Sequence, residues 1–263
     1  MIRALYSAAS GMTAQQLNVD NIAHNLANAN TAGFKSRRAQ FQDLLYQTLS
    51  QPGAAASQQS AVPTGLQLGL GTRAASNEII FAQGDFSATN NPLDMVIQGK
   101  GFFQIRRAAG DLAYTRAGSF QLNRDGSLVT SDGDLVEPQI TIPQNAQTIT
   151  IATDGTVSFT QPGQTAAQKA GQIQLANFQN PAGLNSIGRN LYLPTDSSGD
   201  AIVGNAGGAE GLGTLLQGYV EQSNVSVVDE FVNLIVSQRA YEANSKVVKA
   251  ADEMYQQVNN ITQ

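Results

Sequence analysis

Both ends of this chain carry an apolar residue at every seventh position, and no other feature narrows the possible folds as much. In the first thirty residues the row is Leu5, Met12, Val19 and Leu26, with Ala8, Ala9, Ile22 and Ala23 beside it at three- and four-residue spacing. Toward the other end Val227, Leu234, Tyr241, Val248 and Tyr255 repeat the interval, and Phe231, Ala251 and Val258 occupy the neighbouring row. Side chains so spaced form one stripe along a helix, and a stripe held over several heptads is the pattern of a coiled-coil seam. At ~1.5 Å per residue the helices span ~43 Å and ~55 Å, so they can pair along most of the shorter one.

The rest of the first helix is unusual for a surface in water. Between residues 1 and 30 the ionisable side chains are Arg3, Asp20 and His24, and amides, hydroxyls and alanines cover the remainder. The whole chain shares this bias: charged residues make up 13% and hydrophobic ones 41%, against ~25% charge in ordinary soluble domains. Amides can meet another protein without the desolvation cost of an ion. Leu17 falls opposite the Leu5–Leu26 row, where a single partner helix leaves it in water. Neighbouring copies are therefore expected to complete the burial.

The same composition excludes several classes. A net charge of -5 with no basic stripe argues against a nucleic-acid partner. Lys35, Arg37 and Arg38 form the densest basic cluster and are expected to be solvated. There is no cysteine, hence no disulfide and no zinc-thiolate site. The first residues are too polar for a secretory leader, and no run reaches the ~20 apolar residues of a membrane span. If the chain leaves the cytoplasm, another route is expected.

Along the chain, Asn28-Ala29-Asn30-Thr31-Ala32-Gly33 supplies the turn residues that stop the first helix. Phe41, Leu44, Leu45 and Leu49 predict a second, short amphipathic helix, and residues 50–65 are low in complexity and predict a loop. From about residue 78 the pattern alternates. Met95–Gln98, Phe102–Ile105, Thr148–Ile151 and Gly171–Leu175 read as strands, and Asp125-Gly126, Asp132-Gly133 and Asp154-Gly155 as tight turns. The predicted class is α+β. Residues 1–31 and 224–263 form a helical domain, 78–203 an antiparallel β domain, and 32–77 and 204–223 connectors, the first with an insertion at about 46–66.

Catalytic and ligand motifs are weak. His24 is the single histidine, so a histidine-paired nucleophile has no second one to draw on. Asn123-x-Asp125 and Asp132-x-Asp134 have calcium-like spacing without the twelve-residue loop or its closing glutamate. Gly99-x-Gly101 lacks a third glycine and a following helix. The expectation is a non-enzyme with no cofactor, no metal and no small-molecule substrate.

Two longer motifs carry a resemblance. Ser10-Gly11-Met12-Thr13-Ala14-Gln15-Gln16 with Asn25–Lys35, and Gln238-Arg239-Ala240-Tyr241-Glu242-Ala243-Asn244-Ser245-Lys246, resemble the terminal signatures of bacterial flagellar rod and hook proteins. Gly99-Lys100-Gly101-Phe102-Phe103 and Tyr114-Thr115-Arg116-Ala117-Gly118-Ser119-Phe120 resemble the β domain of that family. The stretch from Gln51-Pro52-Gly53 through Gly65–Gly69, with Ser186–Tyr192 and Gly218–Val225, is most similar to its distal-rod branch.

The resemblance implies terminal helices lining a hollow tube, the β domain outside it, and a basal-body location from periplasm to outer membrane. It also implies unfolded export by the flagellar apparatus. Partners implied are copies of itself, proximal rod proteins, hook protein, the L and P rings and the export apparatus. The expected self-assembly residues are Leu5, Met12, Leu17, Val19, Leu26, Phe231, Leu234, Tyr241, Val248 and Tyr255. Those of the distal-rod insertion are Gln58, Gln59, Val62, Pro63, Leu66 and Leu68. The rival readings are another axial subunit of the family, or a secreted β-domain adhesin or binding module.

Overall fold

The computed structural model describes residues 2–51, 55–57, 60–61, 64–163, 166–208 and 211–261. They divide into two compact units, one of Met1–Ala27, Arg37–Ile79 and Ser226–Gln263, the other of Asn28–Ser36 and Ile80–Val225.

The first unit holds the terminal helices, α1 (Ile2–Ala27) and α2 (Val227–Ile261). α1 gives way at Asn28–Asn30 to turns, and Gly33 takes a left-handed φ of 71° that a side chain would strain. α2 opens with Asp229 and Glu230 in its first turn, where carboxylates oppose the helix dipole favourably. The helices pack against each other, and α1 also packs on the pair of strands Arg37–Asp43 and Thr72–Ile79.

These two strands overturn the expected second helix. Arg37–Asp43 pairs antiparallel with Thr72–Ile79, Tyr46–Ser50 with Leu66–Gly69, and Ala55–Ser57 with Ser60–Ala61, three nested pairs of one long ribbon. Phe41, Leu44, Leu45 and Leu49 have helical spacing, but Phe41 pairs with Ala74, Leu44 N–H donates to Gly71 O at 2.9 Å, and Leu49 lies in the strand paired with Leu66–Gly69. Periodicity within a short window cannot register such pairing. The expected loop at 50–65 likewise contains strand.

The second unit is antiparallel β, built on the strand Phe102–Arg106. That strand pairs with Leu112–Thr115 on one side and with Leu135–Glu137 and Gln174–Asn177 on the other, within a sheet of nine strands among the described residues. Thr148–Ile151, Thr156–Thr160 and Gln168–Gln172 form a separate three-stranded sheet. The predicted strand Gly171–Leu175 is interrupted between Gln172 and Gln174, so its halves belong to different sheets, and Ile173 at the break is fully buried. The three Asp-Gly turns form with left-handed glycines at 126, 133 and 155.

Met95, Ile97, Phe103, Ile105, Phe120, Leu128, Ile173 and Leu175 share one core. Residues 204–223, expected as connector, carry strands of this unit: Thr214–Gln217 pairs with Met95–Gln98, and Tyr219–Glu221 with Phe86–Ala88.

Candidate assembly surface

Apart from Ile22, the buried side chains of α1 and α2 are small or amide. Ala8, Ala14, Asn21, Ile22 and Asn25 are buried on α1, and Ser237 and Ala251 on α2. Asn18 Nδ2 donates to Ser237 Oγ at 2.8 Å, and Asn25 Nδ2 to Glu230 Oε1 at 2.9 Å. Asn25 Oδ1 accepts from Arg37 N–H at 2.9 Å, and Asn77 Nδ2 donates to Asn21 Oδ1 at 2.8 Å. A Cβ at Gly11 would lie 2.8 Å from Asn244 Nδ2, so the glycine sets how closely α2 approaches there. The amide-rich face of α1 is thus used in part inside the chain, binding α2 and the ribbon through hydrogen bonds whose loss would leave buried polar groups unpaired.

The heptad residues stand at the margin of this seam. Leu5, Met12, Val19 and Leu26 on α1 and Leu234, Val248 and Tyr255 on α2 are half-buried, while Leu17, Phe231 and Tyr241 are exposed. Gln16, Val19, Gln238, Tyr241 and Glu242 border a groove of about 350 Å³.

A second apolar row escaped the heptad reading. Val228, Val232 and Ile235 follow one another at four- and three-residue spacing, with Val236 four beyond Val232, and Val228 is 73% exposed. Their spacing was legible, but Val227 and Leu234 supplied a longer heptad that drew the assignment to another face. Tyr6 on α1 is 70% exposed. On the ribbon Leu45, Tyr46, Leu49, Leu66 and Leu68 are exposed. Of the expected insertion contacts, Gln58, Gln59, Val62 and Pro63 lie outside the described residues. These exposed apolar side chains are the candidate contact surface of the unit.

In the β unit the correction concerns charge. Lys35, expected to be solvated, is 1% exposed, and its Nζ donates to Glu221 Oε1 at 2.6 Å and to Ala82 O at 2.7 Å. Glu221 Oε1 also accepts from Gly84 N–H at 3.0 Å, and the Glu221 backbone O from Gly33 N–H at 2.8 Å. Arg116 is buried nearby, donating through Nη2 to Gly99 O at 2.7 Å, with Nη1 3.8 Å from Glu221 Oε2. Burial pushes both the Lys35 ammonium and the Arg116 guanidinium below their ordinary values, and the Glu221 charge opposes the shift in each.

Asn123 and Asp154 serve turns. Asn123 Oδ1 accepts from the N–H groups of Asp125 and Ser127 at 2.9 and 2.8 Å, so the calcium-like spacing there is a capped turn. Asp154 accepts from Thr156 N–H and Oγ1, both at 2.9 Å, and these bonds hold its carboxyl below the usual range. Among the described residues no group of three or more acidic or histidine side chains is placed to hold a metal, and no helix is long and apolar enough to cross a membrane.

Known proteins resemble the chain along its whole length. Three family models match: flagella basal body rod protein at residues 5–35, the flagellar hook protein FlgE/F/G D1 domain at 96–159, and the flagellar basal body rod FlgEFG protein C-terminal at 216–261. The flagellar basal-body rod protein FlgG of Caulobacter vibrioides is 52% identical over 261 residues, covering 99% of each chain. Those of Borreliella burgdorferi and Bacillus subtilis are 47% and 40% identical, again over 99% of each chain.

Proposed function

As the chain belongs to the flagellar basal-body rod protein family, we propose that it is a structural subunit of the distal rod, without enzymatic activity. Copies assemble helically into the hollow shaft that transmits torque to the hook. The observation that carries this reading is the exposed apolar row Val228, Val232, Ile235 and Val236 on a helix whose other face is already packed against α1. At about 25 cal/mol per Å² of apolar surface removed from water, such a row favours association strongly once neighbours align.

Leu5, Met12, Val19, Leu26, Leu234, Val248 and Tyr255, half-buried in the single chain, gain the rest of their burial in the assembly. Leu17, Phe231 and Tyr241 meet adjacent copies. Leu66 and Leu68 on the ribbon, with Gln58, Gln59, Val62 and Pro63, add contacts that keep the rod straight. The terminal helices form the tube lining and the β unit its outer layer. Proximal rod proteins and hook protein bind at the rod's ends, the L and P rings surround it, and the flagellar export apparatus delivers the chain unfolded.

Electron microscopy of the concentrated chain tests the central claim. Tubes or stacked rings are expected for the wild type and dispersed particles for Ile235→Asp, which alters an exposed position and leaves helix content unchanged. A wild type that stays monodisperse at high concentration overturns the reading, and so does an Ile235→Asp variant that polymerises normally.

A further inference from the structure

Phe81, Phe102, Phe178, Lys100 and Arg116 border a pocket of about 180 Å³ in the β unit, together with the amides of Asn177 and Gln179. Its lining contains two cations and no carboxylate, in a chain whose net charge is -5. Lys100 is exposed at the rim, whereas Arg116 is 5% exposed. The Arg116 guanidinium carbon stands 5.5 Å from the centre of the Phe102 ring, and its Nε has no hydrogen-bond partner among the described residues. Phe81 and Phe178 meet the same ring edge-on at 5.3 and 5.8 Å.

Beside Arg116 one buried carboxylate faces two buried cations. Lys35 and Arg116 contribute two positive charges, and Glu221 is the carboxylate acting on both. Its Oε1 is engaged by Lys35 at 2.6 Å, while its Oε2 lies 3.8 Å from Arg116 Nη1, too far for a hydrogen bond. Arg116 is therefore the under-compensated ion, and an enclosed cation short of counter-charge attracts an anion.

We propose that this pocket is a carboxylate-binding site. The incoming carboxylate pairs with Lys100 at the rim and supplies, beside Arg116, the negative charge the interior lacks. Phe81, Phe102 and Phe178 enclose the apolar part that carries it. Two sources share this chemistry: a free small carboxylate, or an aspartate or glutamate of a second copy of the chain.

The test adds sodium benzoate to the unassembled full-length chain, with sodium chloride at equal ionic strength as reference. A saturable change in the nuclear magnetic resonance signals of Lys100 and Phe178 is expected, with a rise in the thermal midpoint that chloride does not produce. Lys100→Gln, at an exposed position, is expected to keep the fold and weaken benzoate binding about tenfold, as loss of a charge-assisted contact does. Benzoate is then added during polymerisation. A raised critical concentration identifies a neighbour's carboxylate as the natural occupant, and unchanged polymerisation with binding intact identifies a free one. No saturable response beyond chloride, or a response that Lys100→Gln leaves at full strength, overturns the proposal. Binding is measured before assembly, so a chain that fails to polymerise defeats the rod reading without affecting this result.

Discussion

A glutamate enclosed between two cations differs from one beside a surface lysine, because converting it to its amide leaves both positive charges inside unopposed. Glu221→Gln is therefore expected to destabilise the β unit by about 3–5 kcal/mol. Lys35→Met is expected to cost less, since Arg116 remains to balance Glu221, and urea denaturation of the two variants measures the difference. If Lys35→Met proves the more damaging, the charge balance drawn for this cluster is wrong. None of this was legible in the sequence. Lys35 sits beside Arg37 and Arg38, a pattern that reads as a solvated patch, and its partner lies 186 residues away. The asparagines of α1 were legible as contact residues, yet the split of their face between α2 and the ribbon depends on tertiary packing. Asn25 illustrates this: it bonds at once to Glu230 and to the backbone of Arg37.

Among the elements, the two helices were predicted closely because a long amphipathic stripe is a local signal, whereas the ribbon of residues 37–79 was missed because its pairing is not. The β unit lies between these cases. Its Asp-Gly turns and hub strand were evident, but the closing strands Thr214–Gln217 and Tyr219–Glu221 were hidden among glycines and looked like connector. Gly11 offers a test of helix spacing. Gly11→Val forces Asn244 aside and is expected to cost about 1–3 kcal/mol as overpacking, read as a lowered midpoint in helix melting by circular dichroism. A midpoint equal to wild type would mean that α2 is free to shift at that turn. The ribbon has a mechanical counterpart. Removing residues 53–62 preserves the pairing of Arg37–Asp43 with Thr72–Ile79, and is expected to give rods that bend. Image analysis of rod curvature checks this, and straight rods of unchanged stiffness would end the ribbon's assigned role.

For the molecule as a whole, low charge makes a prediction about solution conditions. With 13% charged residues and contact faces built from apolar and amide groups, the critical concentration for polymerisation is expected to change by no more than a few-fold between 0.05 and 0.5 M sodium chloride. Screening over ~4–14 Å acts mainly on exposed ions. Sedimentation of polymer at each salt concentration provides the measurement, and a hundredfold change would show that ion pairs dominate the lattice. The pairing of α1 with α2 has a further consequence, in time rather than in space. Asn18 and Ser237, hydrogen-bonded across the seam, are 219 residues apart in the chain, and contacts that distant form late because a long loop must close first. A chain emerging from its first residue holds α1 without its partner until almost everything else has followed. An interrupted product lacks α2 and the exposed row it carries, so unfinished chains are kept out of the polymer by topology alone.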